Sequence, residues 1–223
     1  MCGRYTLTIT KKVLQKRFRV DDGSDHQPRY NIGPGQEAPV IRASAGGSRC
    51  CDALLWGWAS VGGKHLLINA RSETLTRRAT FRRWLDAYRC LVPADGFYEW
   101  TPGEGRSDRQ AYRARLPDGA PFAMAGLWQP GAGGSGGAYV VITTASVGTM
   151  ARIHVRSPVC LNPEDESTWL DLARSYGDVC HVLTRRPDVD VVLDPVGEAV
   201  HRAGTETPEC IRRIPLMQSG ALF

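Results

Sequence analysis

Cys2 stands directly behind the initiator methionine and is followed by Gly3 and Arg4. If Met1 is removed, Cys2 carries two adjacent nucleophiles, an α-amine with an ordinary pKa of about 8 and a thiol of about 8.5. The amine can attack an aldehyde to give a Schiff base, and the neighbouring thiol can then close a five-membered thiazolidine ring. Gly3 has no side chain to obstruct a molecule that approaches Cys2. Arg4 places a positive charge beside Cys2, which we expect to favour the thiolate and to attract phosphate. The alternative is that Met1 stays and Cys2 is an ordinary thiol.

Asn69 and Arg71 form a second candidate pair. Asn69 offers a neutral donor and acceptor that could hold a sugar or aldehyde oxygen. In a strand, residues two apart point to the same face, so Arg71 would lie beside Asn69 and could bind phosphate. Taken singly, a buried Asn in a turn and a surface Arg are the commoner outcomes.

Glu99 and His154 are the candidate proton-transfer groups. Glu99 lies between Tyr98 and Trp100, and the aromatic neighbours predict a partly desolvated carboxylate with a raised pKa. His154 can move protons near neutral pH, and Arg156 follows it at the same two-residue spacing. A solvent-facing Glu and a structural His are the alternatives for either residue considered alone.

The opening residues and four further segments resemble the SRAP family, whose name stands for SOS response-associated peptidase and whose members are abasic-site processing proteins. The segments occur in the family's order and extend over nearly the whole chain. They are MCGRY at residues 1–5, RYNIGPGQ at 29–36, INARSET at 68–74, RCLVPADGFYEW at 89–100 and IHVRSP at 153–158.

The resemblance implies that Cys2 reacts with the ring-opened aldehyde of an abasic site and forms a covalent DNA–protein crosslink. It implies that Asn69 positions Cys2, that Glu99 transfers protons during ring opening and Schiff-base formation, and that His154 assists ring opening and crosslink reversal. It also implies a peptidase that removes its own Met1, and an associated lyase activity.

The resemblance further assigns DNA binding to Arg4, Arg71 and Arg156, which would contact phosphates beside the lesion, and to Trp100. The implied partner is single-stranded DNA containing an abasic site, recognised by its aldehyde and strand shape rather than by base sequence. No cofactor and no metal are expected, and we expect a monomer.

Two stretches differ from the family's usual pattern. The family commonly has a proline and a tryptophan pair ahead of its INAR segment, where aromatic rings stack on bases, whereas here residues 59–65 are small or weakly basic. Val155 follows His154, where the family often has a polar residue. The first difference predicts weaker base stacking, and the second predicts an imidazole without a polar neighbour to orient it.

Composition limits the remaining classes of function. The chain has 223 residues, a net charge of +5 and a pI of about 8.9, which suits a polyanionic partner. Its seven cysteines show neither disulfide-scaffold density nor the spacing of a zinc site. No apolar segment is long enough to span a membrane or resembles an export signal. We therefore expect a cytoplasmic protein, associated with the nucleoid when bound to DNA.

Short strands outnumber helices in the pattern, so we predict one α+β domain over residues 1–223, built on a curved, mostly antiparallel and barrel-like sheet with a few short helices. Thr10 caps a predicted helix over residues 11–19, and Asn162 with Pro163 begins another that ends near residue 176. A third helix is predicted over residues 73–87. Predicted strands cover 38–43, 52–58, 66–71, 95–101, 110–116, 121–128, 138–145, 178–183 and 188–196, and residues 21–37 are predicted to be irregular.

Two other functions remain open. Glutamine amidotransferase domains also begin Met-Cys-Gly and use the Cys thiol against an amide, but they need Asn-Gly elements, and this chain has no Asn-Gly dipeptide. A non-catalytic DNA-binding module would keep the basic surface while Met1 masks the amine of Cys2. The intact mass distinguishes the second alternative, because it shows whether Met1 is retained.

Overall fold

The computed structural model describes residues 2–21, 25–44, 46–60, 63, 65–103, 109–131, 136–185 and 190–215. Met1 and part of the 59–65 stretch lie outside these residues. Within them, no helix is long and apolar enough to cross a membrane.

The described residues form short strands and shorter helices. The strands are β1 Tyr5–Leu7, β2 Arg29–Ile32, β3 Glu37–Ala43, β4 Arg49–Trp56, β5 Trp58–Ala59, β6 Leu66–Leu67, β7 Asn69–Arg71, β8 Arg89–Ala94, β9 Gly96–Trp100, β10 Ala111–Arg115, β11 Phe122–Pro130, β12 Gly137–Ala145, β13 Arg156–Pro158, β14 Cys160–Leu161 and β15 Val192–Val196. The α-helices are α1 Lys11–Phe18, α2 Ala79–Arg82, α3 Pro163–Leu170 and α4 Tyr176–Val179. Turns of 3-10 helix cover Ser72–Thr74, Gly148–Arg152, Cys180–Leu183, Glu198–His201 and Pro208–Ile211.

A five-stranded antiparallel sheet holds the start of the chain. Its order is β15-β10-β9-β1-β2, so β1 lies inside the sheet with Tyr5 paired to Phe97 on one side and to Ile32 on the other. Strands β9 and β10 are the predicted hairpin, with Tyr112 opposite Glu99. This arrangement brings Cys2, three residues ahead of β1, next to the strand that carries Glu99.

The second sheet is larger and curved. Its order is β13-β12-β4-β3-β8-β11-β14, and β11 also pairs with β12, so the path of paired strands returns to β12. Most pairs are antiparallel, but β4 and β7 run parallel to β12. Because Thr143 of β12 pairs with Arg71 on one edge and Pro158 on the other, β12 brings the Asn69 and Arg156 segments together.

Large aromatic side chains join the two sheets just behind Cys2. The Tyr5 hydroxyl of β1 and the Tyr139 hydroxyl of β12 share a buried hydrogen bond of 2.7 Å. The Trp56 ring packs edge-on against Tyr5 at 5.2 Å and stacks on Tyr139 at 6.2 Å. This packing fixes β1, and with it the beginning of the chain, against the second sheet.

Much of the predicted element pattern is confirmed, as is the mixed α and β fold on a curved, mostly antiparallel sheet. Helix α1 begins after Thr10, whose hydroxyl accepts from the Val13 amide at 3.4 Å, and buries Leu14 and Phe18. Helix α3 begins at Pro163 as predicted. Strands β3, β10, β11, β12 and β15 lie within or close to their predicted positions.

Four element predictions are wrong, and the predicted strands 52–58 and 66–71 are each divided between two sheets. Residues 73–87 are not one helix but a 3-10 turn followed by the four-residue helix α2. Residues 178–183 are helical rather than a strand. Helix α3 ends at Leu170, well before residue 176, and β2 lies inside the stretch predicted to be irregular.

Candidate functional site

Cys2 is completely buried at the meeting point of the two sheets. Its Sγ lies 3.9 Å from the Arg4 carbonyl oxygen, and that carbonyl accepts from the Tyr98 amide of β9 at 2.9 Å. Burial raises the pKa of the Cys2 thiol well above its usual value, and the charges of Glu99 and Cys160 raise it further. The prediction that Arg4 favours a Cys2 thiolate is therefore wrong.

Asn69 contacts Cys2 directly. Its Nδ2 donates to the Cys2 carbonyl oxygen at 2.8 Å. Its Oδ1 is buried and has no hydrogen-bond partner among the described residues. Because buried polar atoms are rarely left unpaired, this oxygen is an acceptor available beside the start of the chain.

Glu99 is buried, with 3% of its surface exposed. Side chains alternate along a strand, so Glu99 shares the inner face of β9 with Phe97, while Tyr98 and Trp100 lie on the opposite face. Burial raises the pKa of the Glu99 carboxyl, and the positive charge of His154 lowers it in part. The predicted raised pKa is thus present, but it comes from the protein core rather than from the aromatic residues flanking Glu99 in sequence.

His154 follows the 3-10 turn at Gly148–Arg152 and is oriented by backbone groups. Its Nδ1 lies 3.0 Å from both the amide nitrogen and the carbonyl oxygen of Arg156, so the backbone of Arg156 holds the ring. The Val155 side chain is 76% exposed. The predicted lack of a polar orienting group is therefore wrong, because the Arg156 backbone does what the side chain of residue 155 cannot.

Two of the three arginines expected at phosphates are held by protein groups. The Arg4 guanidinium donates to Asn31 Oδ1 at 2.8 Å and to the Val200 carbonyl at 3.2 Å. Arg156 forms a two-point ion pair with Glu73, at 2.6 and 3.0 Å, and donates to the Thr143 carbonyl at 2.7 Å.

The remaining two predicted DNA contacts, Arg71 and Trp100, are not held by such bonds among the described residues. Arg71 is exposed at the end of β7, and no side-chain bond of its guanidinium is seen among the described residues. Trp100 is half-buried, with its ring 6.1 Å from that of His201. It lies on the face of β9 opposite Glu99, so a strand of DNA would have to pass the edge of this sheet to contact both.

Sequence reasoning missed two residues next to the site. Glu73, inside the INARSET segment, pairs with Arg156, and the hydrogen bond from Arg156 lowers the pKa of its carboxyl. Cys160 contributes to the electrostatics of Cys2, and burial raises its own pKa to about 12. A carboxylate inside a matched segment was a usable signal for Glu73, whereas nothing in the residue pattern singled out Cys160.

Together these contacts gather a thiol, an amide, a carboxyl and an imidazole at one buried place. Cys2 and Asn69 touch, Glu99 interacts electrostatically with Cys2, and His154 interacts with Glu99. If Met1 is removed, the arrangement would place an amine and a thiol beside a carboxyl whose pKa is raised. Such a carboxyl can both accept and return a proton, as imine formation requires.

Comparison with known proteins adds a family and several relatives. Residues 1–203 match the family model described as SOS response associated peptidase (SRAP). The chain is 32% identical to the abasic site processing protein YoqW of Bacillus subtilis, over 95% of this chain and 99% of that protein. It is 28% identical to the abasic site processing protein HMCES of Xenopus tropicalis, over 98% of this chain and 80% of that protein.

Solved structures show the same fold. A phage-related protein of Bordetella bronchiseptica superposes with a TM-score of 0.75 at 28% identity, covering 87% of this chain and 94% of that chain. A protein of Bacteroides thetaiotaomicron superposes with a TM-score of 0.79 at 19% identity, covering 96% of this chain and 100% of that chain. The second likeness concerns the fold alone.

Proposed function

Because this chain belongs to the SOS response-associated peptidase family, we propose that it processes abasic sites in single-stranded DNA by forming a covalent crosslink through Cys2. The observation that carries the proposal is the contact between Asn69 and the Cys2 carbonyl, beside a buried carboxyl at the start of the chain. The printed names of the relatives support abasic-site processing, and the site supports the chemistry.

The reaction needs only the chain's own atoms and the DNA aldehyde. Once Met1 is removed, the amine of Cys2 adds to the C1′ aldehyde of the abasic sugar and loses one water to form a Schiff base. The Cys2 thiol then adds to the imine carbon, and its proton passes to the nitrogen. The product is a thiazolidine joined to the DNA, with one water released in total.

Burial of Cys2 supports this sequence of steps. The thiol stays neutral because its pKa is raised, so the amine attacks first and the thiol reacts once the imine carbon is held beside it. Ring closure within one residue has a high effective molarity, on the order of 10⁵ M or more in well-oriented cases. Asn69 keeps the Cys2 backbone in place and offers its buried oxygen to a hydrogen-bond donor on the amine or the opened sugar.

Proton transfer falls to Glu99 and His154. Glu99, with its raised pKa, accepts a proton from the attacking amine and returns one to the departing hydroxyl. His154, held by the Arg156 backbone, assists the opening of the sugar ring and the reverse reaction. A lyase reaction, in which the Schiff base promotes strand cleavage, uses the same groups and belongs to the proposal.

Binding of the DNA backbone is the role proposed for Arg4, Arg71 and Arg156, with Trp100 contacting the strand beyond the edge of β9. Arg4 and Arg156 are already oriented by protein acceptors, so little side-chain freedom is lost when a phosphate arrives. The proposal also includes removal of Met1 by the chain itself. It further includes action as a monomer and a location in the cytoplasm or at the nucleoid.

The test combines a denaturing gel with intact mass. The protein is incubated with single-stranded DNA carrying either an abasic site or its tetrahydrofuran analogue, which has no aldehyde. We expect an adduct with the abasic strand only, of mass equal to the chain without Met1 plus the DNA minus one water. Equal adducts with both strands, or an adduct that retains Met1, would contradict the proposal.

A further inference from the structure

The segment that follows the Asn69 strand carries a concentration of exposed arginines. Residues 71–83 contain five arginines against one acidic residue, Glu73, a surplus of four on a chain whose net charge is +5. All five arginine side chains are exposed: Arg71, Arg77, Arg78, Arg82 and Arg83.

These arginines differ from most others in the molecule in having no carboxylate partner among the described residues. The single acidic residue of the segment is taken by Arg156. Elsewhere, arginines are commonly matched with carboxylates within 3.2 Å, at Arg17, Arg29, Arg42, Arg49, Arg113 and Arg115. Five cations close in sequence without carboxylate partners repel one another, and a polyanion would relieve this repulsion.

The fold directs these side chains outward and places the segment beside the strands that lead into Asn69. Phe81 and Leu85 are buried, and the Phe81 ring packs 5.5 Å from Trp58. Trp58 pairs with Leu67, two residues ahead of Asn69. Helix α2 therefore packs beside the short strand pair β5–β6, which immediately precedes the Asn69 strand.

Spacing within the segment suits a row of phosphates. Arg78 and Arg82 are four residues apart, joined by the Arg82 amide to the Arg78 carbonyl at 3.0 Å, and so lie about one helical turn, 5.4 Å, apart on one side. The Arg83 guanidinium lies 4.8 Å above the half-buried Trp84 ring. An aromatic ring fixes the orientation of a guanidinium that lies on it. The N–H groups of that guanidinium can still bind phosphate, and its plane can stack on a base.

We propose that residues 77–83 form a second DNA-contact surface, which holds phosphates of the lesion strand a few nucleotides away from the abasic sugar. The proposal rests on the proposed function, since the DNA is placed by Cys2.

The test measures non-covalent binding to single strands that carry a central tetrahydrofuran site, which cannot crosslink. Two lengths are compared, about 20 nucleotides and about 5, the shorter being near the minimum for a single-strand site. The variant is Arg78→Gln/Arg82→Gln, and the matched control, Arg19→Gln/Arg174→Gln, removes two exposed arginines elsewhere on the described surface.

For the long strand, we expect the Arg78→Gln/Arg82→Gln variant to flatten the dependence of log K on log salt by about 1.4, the value for two phosphate contacts on a single strand. Binding of the short strand and the yield of crosslink at saturating abasic DNA should match wild type, and the control should leave the slope unchanged. An unchanged slope for the variant, an equal loss in the control, or an equal loss on the short strand would overturn the proposal. Absence of any crosslink in wild type would instead count against the proposed function, since the salt slope is measured without crosslinking.

Discussion

Glu99 is the residue whose chemistry depends most on its surroundings. Its neighbours in sequence, Tyr98 and Trp100, suggested a desolvated carboxyl, and the carboxyl is desolvated, but those two rings lie on the other face of β9. The inner face, shared with Phe97 and close to Cys2, raises the pKa. A one-dimensional pattern can therefore indicate a perturbed group without giving the cause of the perturbation.

Glu99→Gln should slow crosslinking at neutral pH by at least about tenfold, because general acid–base catalysis typically contributes about 10²–10⁴-fold. In wild type, the rate should fall with decreasing pH along a limb that lies above the ordinary glutamate pKa of about 4.3, since the raised pKa protonates the base at higher pH. The measurement is single-turnover crosslinking against pH. A variant that keeps the wild-type rate and pH limb would remove Glu99 from the mechanism.

Thermal unfolding of the same variant provides the folding control. Because the folded-state pKa of Glu99 is raised, the folded protein binds the extra proton between the unfolded and folded pKa values, and the contribution of Glu99 to stability falls as pH rises through that interval. Gln has no such proton to lose. Glu99→Gln should therefore melt no lower than wild type at neutral pH, and a clear drop would mean that slowed crosslinking reflects damage to the fold.

Other residues show the same limit of local sequence reasoning. The identities Cys2, Asn69 and His154 could be selected from the sequence, because their chemistry is a property of the residue type. Their partners could not, because the Cys2–Asn69 contact spans 67 positions and the His154 ring is held by backbone groups. Backbone groups carry no sequence signal, which is why Val155 appeared to matter more than it does.

At the scale of elements, hydrophobic periodicity predicted the helices and strands that bury one face. It failed where the chain turns inside a predicted helix. Leu75 and Phe81 are six residues apart, so on one straight helix over 73–87 their side chains would point about 120° apart rather than along one line. The helix is interrupted by a turn instead, in which the Thr74 carbonyl accepts hydrogen bonds from the amides of Arg77 and Arg78 at 3.2 and 3.1 Å. Both apolar side chains are then buried.

In two further elements, polar side chains decide the structure against the local sequence preference. Helix α4 forms where the sequence predicts a strand, and β2 forms where it predicts an irregular segment. Ser175 and Asp178 form a capping box that begins α4, although the residues that follow favour strands. The amides of Tyr30 and Asn31 in β2 donate to the Glu206 carboxylate at 2.7 and 3.0 Å, a contact from far along the chain. The capping box was visible in the sequence, whereas the Glu206 contact was not.

The ion pair that links the 3-10 turn after β7 to β13 makes a prediction at this scale. If Arg156 binds phosphate as proposed, Glu73 competes with DNA for its guanidinium, while the Thr143 carbonyl keeps that guanidinium in place. Glu73→Gln should therefore tighten non-covalent binding of single-stranded DNA, by up to about fivefold, the worth of an exposed ion pair. Arg156→Gln should weaken it.

Both variants are measured by titration against a strand with a tetrahydrofuran site, at two salt concentrations. Arg156→Gln should also flatten the salt slope by about 0.7, the value for one phosphate on a single strand. If Glu73→Gln weakens binding as much as Arg156→Gln does, the ion pair acts only to hold the two elements together, and Arg156 is not a phosphate ligand.

At the scale of the molecule, two sheets enclose the beginning of the chain. The five-stranded sheet supplies Glu99, the larger sheet supplies Asn69 and Arg156, and the hydrogen bond between Tyr5 and Tyr139 joins the sheets behind Cys2. Mixed α and β architecture was predictable from the strand and turn pattern. The arrangement of strands that encloses the site was not predictable, because it depends on parallel pairings of β12 that join distant parts of the sequence.

The central claim is that the amine and the thiol of Cys2 together make the stable link to DNA. Its most direct test compares wild type with Cys2→Ala on an abasic single strand, with and without borohydride, on a denaturing gel. Cys2→Ala keeps an amine but cannot close the ring, so its Schiff base should survive denaturation only after reduction, whereas wild type should give a stable adduct without reductant. A stable unreduced adduct in Cys2→Ala, at a yield like that of wild type, would contradict the thiazolidine mechanism.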